Sequence, residues 1–267
     1  MIFFKKVLFL GTAFGLSPFF NYSYASEAYK VQFNIDKDRE KIVYIAESIL
    51  KENAKQKNTP LIDLTINIGK EYPTKSYTDA KNNYCKININ YTDEKPLLLS
   101  NFYDDIQFVL WHEIGHCMLG KNILFNDYIN WSIKIKNSEE LNQQIKKQTA
   151  IALKNSYSKN GETYFKVAPP VIVYHEIYAD IYALNLWIKN NKNLYEIVNL
   201  AQKRVESFNK NPLSSLYASG FSIPTLLEYS NKSTLSIDDV EKISQQGFIE
   251  YLKVINENYL SKNLREE

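Results

Sequence analysis

Two histidines and a glutamate lie at a spacing that suits metal chemistry. Residues 112–116 read His-Glu-Ile-Gly-His, which is the pattern HExxH. In an α-helix, residues four apart lie on one face about 6 Å apart along the axis, so both imidazoles can ligate one zinc ion. Glu113 lies beside this pair, where it can take a proton from a water activated by the metal. The segment therefore predicts a hydrolytic zinc site with His112 and His116 as ligands and Glu113 as general base.

A chance match is rare at this composition. The chain has 267 residues but only three histidines, and HExxH would arise by chance with a probability on the order of 0.2%. Apolar residues such as Phe108, Leu110 and Trp111 surround the motif, so the histidines are expected in or beside a core, where they need a polar partner. The blander alternative is a helical exported protein with two unrelated histidines, which predicts no bound metal.

A zinc site needs a third protein ligand, and the sequence narrows the choice. The metzincin extension of HExxH requires a histidine at position 122, which is Asn122, so that class is excluded. Glu176 and Asp180 form the only Glu-x-x-x-Asp in the chain, and they lie within a predicted helix. The neighbouring His175 stays open as an alternative ligand, as an oxyanion stabiliser or as a rim residue, although it lies about 100° around the helix from Glu176.

HExxH followed some tens of residues later by a helical ExxxD resembles the gluzincin zinc metallopeptidases. The Ala-Asp ending of the second motif is similar to the soluble exported relatives of the CAAX prenyl protease-like family. The resemblance covers residues 101–185 and implies a zincin-like fold and a peptide or protein substrate. It also implies specific roles: zinc ligation by His112, His116 and Glu176, general-base work by Glu113, and a supporting hydrogen bond that Asp180 accepts from His112.

Related enzymes often use a later side chain to hold the oxyanion. No histidine follows His175, so the available residues are Arg204 and three tyrosines. The tyrosines are Tyr178, Tyr182 and Tyr217, and the sequence does not choose among the four.

The elements that must position these residues follow an α+β pattern. Apolar residues alternate with polar ones in 29–35, 61–68 and 84–91, which is the period-2 signature of half-buried strands. A helix is predicted after Asp36, where apolar residues recur every three or four positions. The polar, Tyr-rich stretch 71–83 is predicted to be a loop that serves as a lid or as plain surface.

From residue 101 onward the periodicity is helical. Asn101 is a predicted N-cap, Asp104 and Asp105 suit the positive end of the helix dipole, and Gly120 is a predicted stop. Further helices are predicted over residues 138–155, 170–189, 194–208, 212–229 and 237–260. The sequence therefore predicts one zincin-like catalytic domain over 26–267. It comprises an α/β lobe with a small sheet and the HExxH helix (26–120) and a mainly helical lobe with the ExxxD helix (121–267).

Residues 1–25 have the layout of a secretory signal. Lys5 and Lys6 precede an apolar run, and Ser23 and Ala25 are small residues at −3 and −1 of a cut before Ser26. The run is too short, and too interrupted by glycine and proline, for a spanning helix. The formal net charge of +2 is that of the two lysines, and no basic tract remains to attract nucleic acid. We expect an exported protein, periplasmic or secreted, with no stable membrane span after cleavage.

The two cysteines, Cys85 and Cys117, are expected to pair because export places them in an oxidising compartment. The alternative is two buried free thiols, and metal ligation by Cys117 is disfavoured because it faces away from His116. A bridge would tie strand 84–91 to the motif helix and stabilise the fold by roughly 3.5 kcal/mol. If that strand lies at a sheet edge, its free N–H and C=O groups offer an extended peptide a place to pair.

The expected function is peptide-bond hydrolysis by an exported zinc metallopeptidase. The presence of Glu113 favours catalysis, since a purely structural zinc site does not need it. The alternative is a non-proteolytic zincin-fold protein that acts as a periplasmic binding or chaperone module with a structural zinc. The residues carry no signal of oligomeric state.

Overall fold

The structure is a computed structural model. It describes residues 6–7, 19–25, 29–36, 40–55, 59–69, 75–81, 84–91, 99, 101–119, 139–159, 162–190, 192–212, 218–230 and 235–257. The chain forms two compact units, Met1–Asn122 and Ile123–Glu267. The expected mixed α+β class is confirmed, because strands predominate in the first unit and helices in the second.

Within its described residues, the first unit consists of one sheet and two helices. The strands are β1 (Lys6–Val7), β2 (Phe19–Ala25), β3 (Tyr29–Asp36), β4 (Leu61–Ile68), β5 (Lys75–Lys81) and β6 (Tyr84–Tyr91); the helices are α1 (Lys41–Asn53) and α2 (Phe102–Leu119). The order across the sheet is β1-β2-β3-β4-β6-β5. β3, β4 and β6 run parallel at its centre, and β2 and β5 flank them in antiparallel orientation.

One face of the parallel strands is apolar because side chains alternate between faces along a strand. The register sets Val31 opposite Leu64 and Leu64 opposite Ile87, and all three are buried. Each such side chain contributes about 1.5–3 kcal/mol relative to an exposed position. α2 packs against β5 and β6 and contacts α1. The alternation read from the sequence therefore marks the core face of this sheet.

The opposite face carries a row of amides. Asn34, Asn67 and Asn90 occupy matching positions on β3, β4 and β6. Asn34 Nδ2 donates to Asn67 Oδ1 at 2.5 Å, and Asn67 Nδ2 donates to Asn90 Oδ1 at 2.7 Å. These bonds satisfy Asn67, which is buried, and align the three parallel strands.

Two expectations about the sheet are wrong. β6 lies between β4 and β5, so strand 84–91 is paired on both sides and offers no edge to a peptide. The stretch 71–83, expected to be a loop, contains β5, which pairs with β6 at the end of the sheet as far as the described strands go. The sequence of β5, KSYTDAK, has no large aliphatic residue to mark a strand. Its conformation is instead set by pairing with β6 along its whole length.

β2 occupies the other side of the parallel strands. Residues 19–25, which the sequence assigns to the end of the signal, pair with β3 from Phe19 opposite Asp36 to Ala25 opposite Lys30. Removal of residues 1–25 would therefore leave β3 as the edge strand on that side.

The second unit, in its described part, is helical apart from one hairpin. Its helices are α3 (Glu139–Lys154), α4 (Pro170–Lys189), α5 (Leu194–Lys210), α6 (Ile223–Ser230) and α7 (Ile237–Ile255), and its hairpin strands are β7 (Ser156–Lys159) and β8 (Glu162–Phe165). A 3-10 turn spans Ser219–Phe221. α4 packs against α3, α6, α7 and the 3-10 turn. Among the helices of the described ranges, none has the length and apolar content to cross a membrane.

The helix expected over 212–229 is not continuous. Among its described residues, 219–221 form the 3-10 turn, and α6 begins only at Ile223. Pro224 lies in the first turn of α6, where its missing N–H and fixed φ are tolerated, whereas in mid-helix its ring would clash with the preceding turn. The hairpin of β7 and β8 is a further element that the helical periodicity does not predict.

Candidate metal centre

α2 begins where the sequence supplies a cap. The Oδ1 atom of Asn101 accepts a hydrogen bond from the backbone N–H of Asp104 at 2.9 Å, as expected of an N-cap. Asp104 and Asp105 lie in the first turn, where free N–H groups favour negative charge. The helix ends at Leu119, and the expected stop at Gly120 lies outside the described residues.

Both ends of α2 are fastened to the core of the first unit. Near its start, the Asp105 carboxylate accepts hydrogen bonds from the hydroxyl of Tyr91, which ends β6, and from the backbone N–H of Leu99 at 2.7 Å. Near its end, Cys117 forms a disulfide with Cys85 of β6. Asp105 and both cysteines are buried. The turn of α2 that carries the motif therefore lies between two fixed points.

His112 and His116 face each other closely on α2. Their Nε2 atoms are 3.1 Å apart, and their rings are nearly perpendicular with centroids 4.7 Å apart. Two nitrogens bound to one tetrahedral zinc ion at about 2.05 Å would be separated by about 3.3 Å. The two imidazoles therefore have the separation that a shared metal ion requires.

Glu113 follows His112 on α2 and is only 5% exposed. Burying a carboxylate costs free energy unless it is hydrogen-bonded or paired with positive charge. A cation held by the neighbouring histidines would supply such a charge. The burial of Glu113 next to the histidine pair is compatible with the general-base role that the sequence assigns to it.

α4 carries the second motif and begins at a proline. Pro170 lies in its first turn, where proline is tolerated, and Pro169 precedes it in extended conformation. Most of the remaining residues of α4 are buried, so the helix is packed on nearly every side. Glu176 is half-buried within it.

Three side chains form a group that could hold a metal ion. His112, His116 and Glu176 each offer one ligand atom, and these atoms lie within 4.8 Å of one another. No other group of three or more His, Cys, Asp or Glu side chains with this property occurs in the described ranges. Two nitrogens and one carboxylate oxygen are a donor set that zinc accepts, and catalytic zinc sites with three protein ligands use the fourth position for water or substrate. His112 is buried while the other two are half-buried, which leaves the group partly open to solvent.

His175 is not a member of this group, although it precedes Glu176. It is 3% exposed. Burial lowers the pKa of His175 to about 4, and the negative charge of Glu176 acts in the opposite direction. His175 is therefore uncharged near neutral pH, and its burial does not fit a position on the rim of a cleft.

Asp180 lies one turn after Glu176, and its carboxylate is fully buried. It accepts hydrogen bonds from Arg204 Nε at 2.8 Å, from Arg204 Nη2 at 3.0 Å and from Ser219 Oγ at 2.5 Å. The hydrogen bond expected between Asp180 and His112 stays a prediction. The sequence does not reveal the partnership with Arg204 and Ser219, because these residues lie 24 and 39 positions from Asp180 and no local spacing marks them.

The residues considered for holding an oxyanion differ in placement. Tyr178 and Tyr182 are buried in α4 with stacked rings whose centroids are 6.4 Å apart. Burial raises the pKa of Tyr178 well above its usual range, so its hydroxyl stays protonated. Arg204 directs two of its nitrogens to Asp180. Tyr217 lies outside the described residues.

Comparison with protein-family models, with curated proteins and with solved structures found no match to this chain.

Proposed function

We propose that this protein is an exported zinc metallopeptidase of the gluzincin class with a zincin-like fold. The observation that carries the proposal is the convergence of one ligand atom each from His112, His116 and Glu176 within 4.8 Å. The buried carboxylate of Glu113 beside His112 supports a catalytic metal over a structural one. The partial exposure of two ligands also suits catalysis, because a substrate must reach the metal.

Each residue has a defined task in this proposal. His112, His116 and Glu176 hold the metal; when bound, zinc supplies Lewis-acid polarisation of the scissile carbonyl and lowers the pKa of water. Glu113 orients the attacking water, accepts its proton and passes that proton to the leaving amine. Neutral imidazoles and an ionised carboxylate are the protonation states that ligation needs, so metal affinity falls with acidification.

The substrate class is a peptide or an unfolded protein segment. β5 supports this assignment, because it packs against α2 and, within the described residues, pairs with β6 alone. An extended peptide can add to such an edge through main-chain hydrogen bonds. We place the peptide along β5, in place of the strand 84–91 that the sequence suggests.

Export is the second part of the proposal. The signal layout of residues 1–25 and the disulfide between Cys85 and Cys117 both suit an oxidising compartment outside the cytosol. In a reducing cytosol these two cysteines would stay as free thiols.

The decisive experiment measures hydrolysis of a chemically unfolded, fluorescence-quenched protein by the purified chain. We expect turnover that stops with a chelator, returns with zinc and falls by about 10²–10⁴-fold in Glu113→Gln, while the bound zinc stays unchanged. Glu206→Gln, at an exposed site on α5, is the matched control and should keep full activity. Activity that survives Glu113→Gln would overturn the mechanism. Zinc binding without any hydrolysis would instead support the non-proteolytic zincin-fold protein with a structural zinc.

A further inference from the structure

A buried ion pair in the second unit lies one helical turn from a proposed metal ligand. The Asp180 side chain is fully buried, that of Arg204 is 8% exposed, and the two form a forked pair through both carboxylate oxygens. Ser219 adds a third hydrogen bond from the 3-10 turn. Three elements, α4, α5 and the 3-10 turn, therefore meet at one carboxylate.

Such a pair is weak evidence of stability in itself. Removing two charges from water costs several kcal/mol per ion, and apolar replacements of buried ion pairs are often no less stable. What the pair does supply is a fixed relative orientation of the two side chains, because a bidentate Arg–carboxylate pair constrains both distance and angle.

The hydrogen bonds at Asp180 add a directional constraint to the packing of α4. This helix is buried on nearly every side, and hydrophobic burial, which is non-directional, constrains the rotation of the helix about its axis less sharply than hydrogen bonds do. The hydrogen bonds at Asp180 do depend on that rotation. Glu176 lies four residues earlier, on the same face and about 6 Å away along the axis. Any rotation or slide of α4 that breaks the bonds at Asp180 also moves the carboxylate of Glu176.

We propose that Arg204 and Ser219 are positioning residues that hold Asp180, and through it the turn of α4 that presents Glu176 to the metal. This inference rests on the metal site proposed above, since it assigns a task in zinc binding to the clamp that Arg204 and Ser219 form on Asp180. It gives Arg204 a role in orienting a ligand, whereas the sequence made it one of four candidates for holding the oxyanion.

The test compares zinc affinity with stability in three variants. Arg204→Lys keeps the charge but loses the fork, Ser219→Ala loses one hydrogen bond, and Phe208→Leu weakens the same region of α5 without touching Asp180. Phe208 is buried against Phe221 and Tyr251, so the third variant controls for destabilisation. Zinc affinity is measured by competition with a chromogenic chelator, well below each unfolding midpoint, and the visible spectrum of bound Co²⁺ reports the ligand geometry.

We expect Arg204→Lys and Ser219→Ala to weaken zinc binding by about 10–100-fold, the range typical of residues that orient metal ligands, and to alter the Co²⁺ spectrum. Phe208→Leu should lower the unfolding midpoint but leave both metal readouts unchanged. If Arg204→Lys does not fold, Ser219→Ala alone decides the question. Zinc affinity and Co²⁺ spectra that match those of the parent in both clamp variants would overturn the positioning role and leave the metal site standing. A parent protein that binds no zinc would overturn both.

Discussion

Two neighbouring residues of α4, His175 and Glu176, show how one step along a helix separates a buried packing position from a position in the candidate metal group. Successive helical residues are about 100° apart, so only one of the two can face a given point. Glu176 belongs to the group with His112 and His116, and His175 does not. The sequence favours Glu176 because it pairs with Asp180 at a spacing of four, and that reasoning leads to the residue found in the group.

We expect Glu176→Gln to weaken zinc binding by more than the 10–100-fold typical of an outer partner, because a neutral amide replaces a charged ligand. His175→Gln, at the preceding position, is the matched control, and this variant should still bind zinc. Equilibrium dialysis with metal analysis measures both. The reverse order of affinities would assign the third ligand to His175.

For individual residues, the sequence predicts those site positions that lie close together along the chain. HExxH and ExxxD each lie within one or two helical turns, so helical geometry alone is enough to assign their residues. The bonds from Arg204 and Ser219 to Asp180 join residues on different elements. Nothing in either local pattern indicates them, because they depend on how α4, α5 and the 3-10 turn pack.

Among the elements, α2 is distinctive in being fastened at both ends, by Asp105 and by the disulfide of Cys117. The loop closed by that disulfide has a sequence separation of 32, and the loop-entropy relation assigns the bond about 3.5 kcal/mol. We expect that loss in the Cys85→Ala, Cys117→Ala double variant, measured by urea unfolding. Reduction of the parent protein under denaturing conditions, followed by refolding with blocked thiols, is the parallel measurement. Unchanged midpoints in both would contradict a stabilising role.

Replacing Gly247 of α7 with alanine is expected to destabilise the protein, although glycine-to-alanine changes in helices usually stabilise. Alanine usually stabilises a helix interior by about 1 kcal/mol relative to glycine. Here an added Cβ would lie 1.6 Å from Ser222 Oγ and 2.7 Å from Ser222 Cβ, so α7 could not keep its place. We expect Gly247→Ala to lower the free energy of unfolding by about 1–3 kcal/mol. Adding Ser222→Gly should restore part of the loss, and a variant more stable than the parent would refute the close approach.

The elements themselves are predictable where periodicity is strong. The bounds of β4, β6 and α4 match the predicted ranges, because alternation or helical repeats run through their whole length. β5 escapes sequence-based prediction because KSYTDAK carries few apolar residues, and its form comes from pairing with β6 along its whole length. The start of α6 at Ile223 is not predicted, because the helical periodicity of the sequence runs through this point. Pro224 in fact lies in the first turn of α6.

For the whole molecule, the proposed metal site links zinc binding to stability. A ligand that binds only the folded state stabilises it by about 2.7 kcal/mol at a free concentration 100 times its dissociation constant. We therefore expect zinc to raise the thermal midpoint in a concentration-dependent way and a chelator to reverse the shift, measured by calorimetry. Glu176→Gln should show a much smaller zinc-dependent shift. A midpoint that does not respond to zinc in the parent would contradict the proposed site.

Export gives a second prediction for the whole chain. Expressed with residues 1–25 in a secreting host, the protein should be recovered outside the cytosol with Ser26 as its first residue, as determined by intact mass. Ala25→Leu replaces the small residue next to the cut and should block processing. A chain recovered from the exported fraction with residues 1–25 intact would contradict the cleavage and would retain β2 beside β3.

The fastening of α2 to β6 also bears on how fast the proposed site would take up a metal ion. In small zinc domains the ligands come together only when the metal arrives, so capture of the ion and ordering of the chain are one event. Here the two imidazoles stand on a helix already held by covalent and charged contacts, with their nitrogens 3.1 Å apart. Uptake at this pair should therefore be governed by the stripping of water from the incoming ion, and the rate should be insensitive to denaturant concentrations that leave the fold intact.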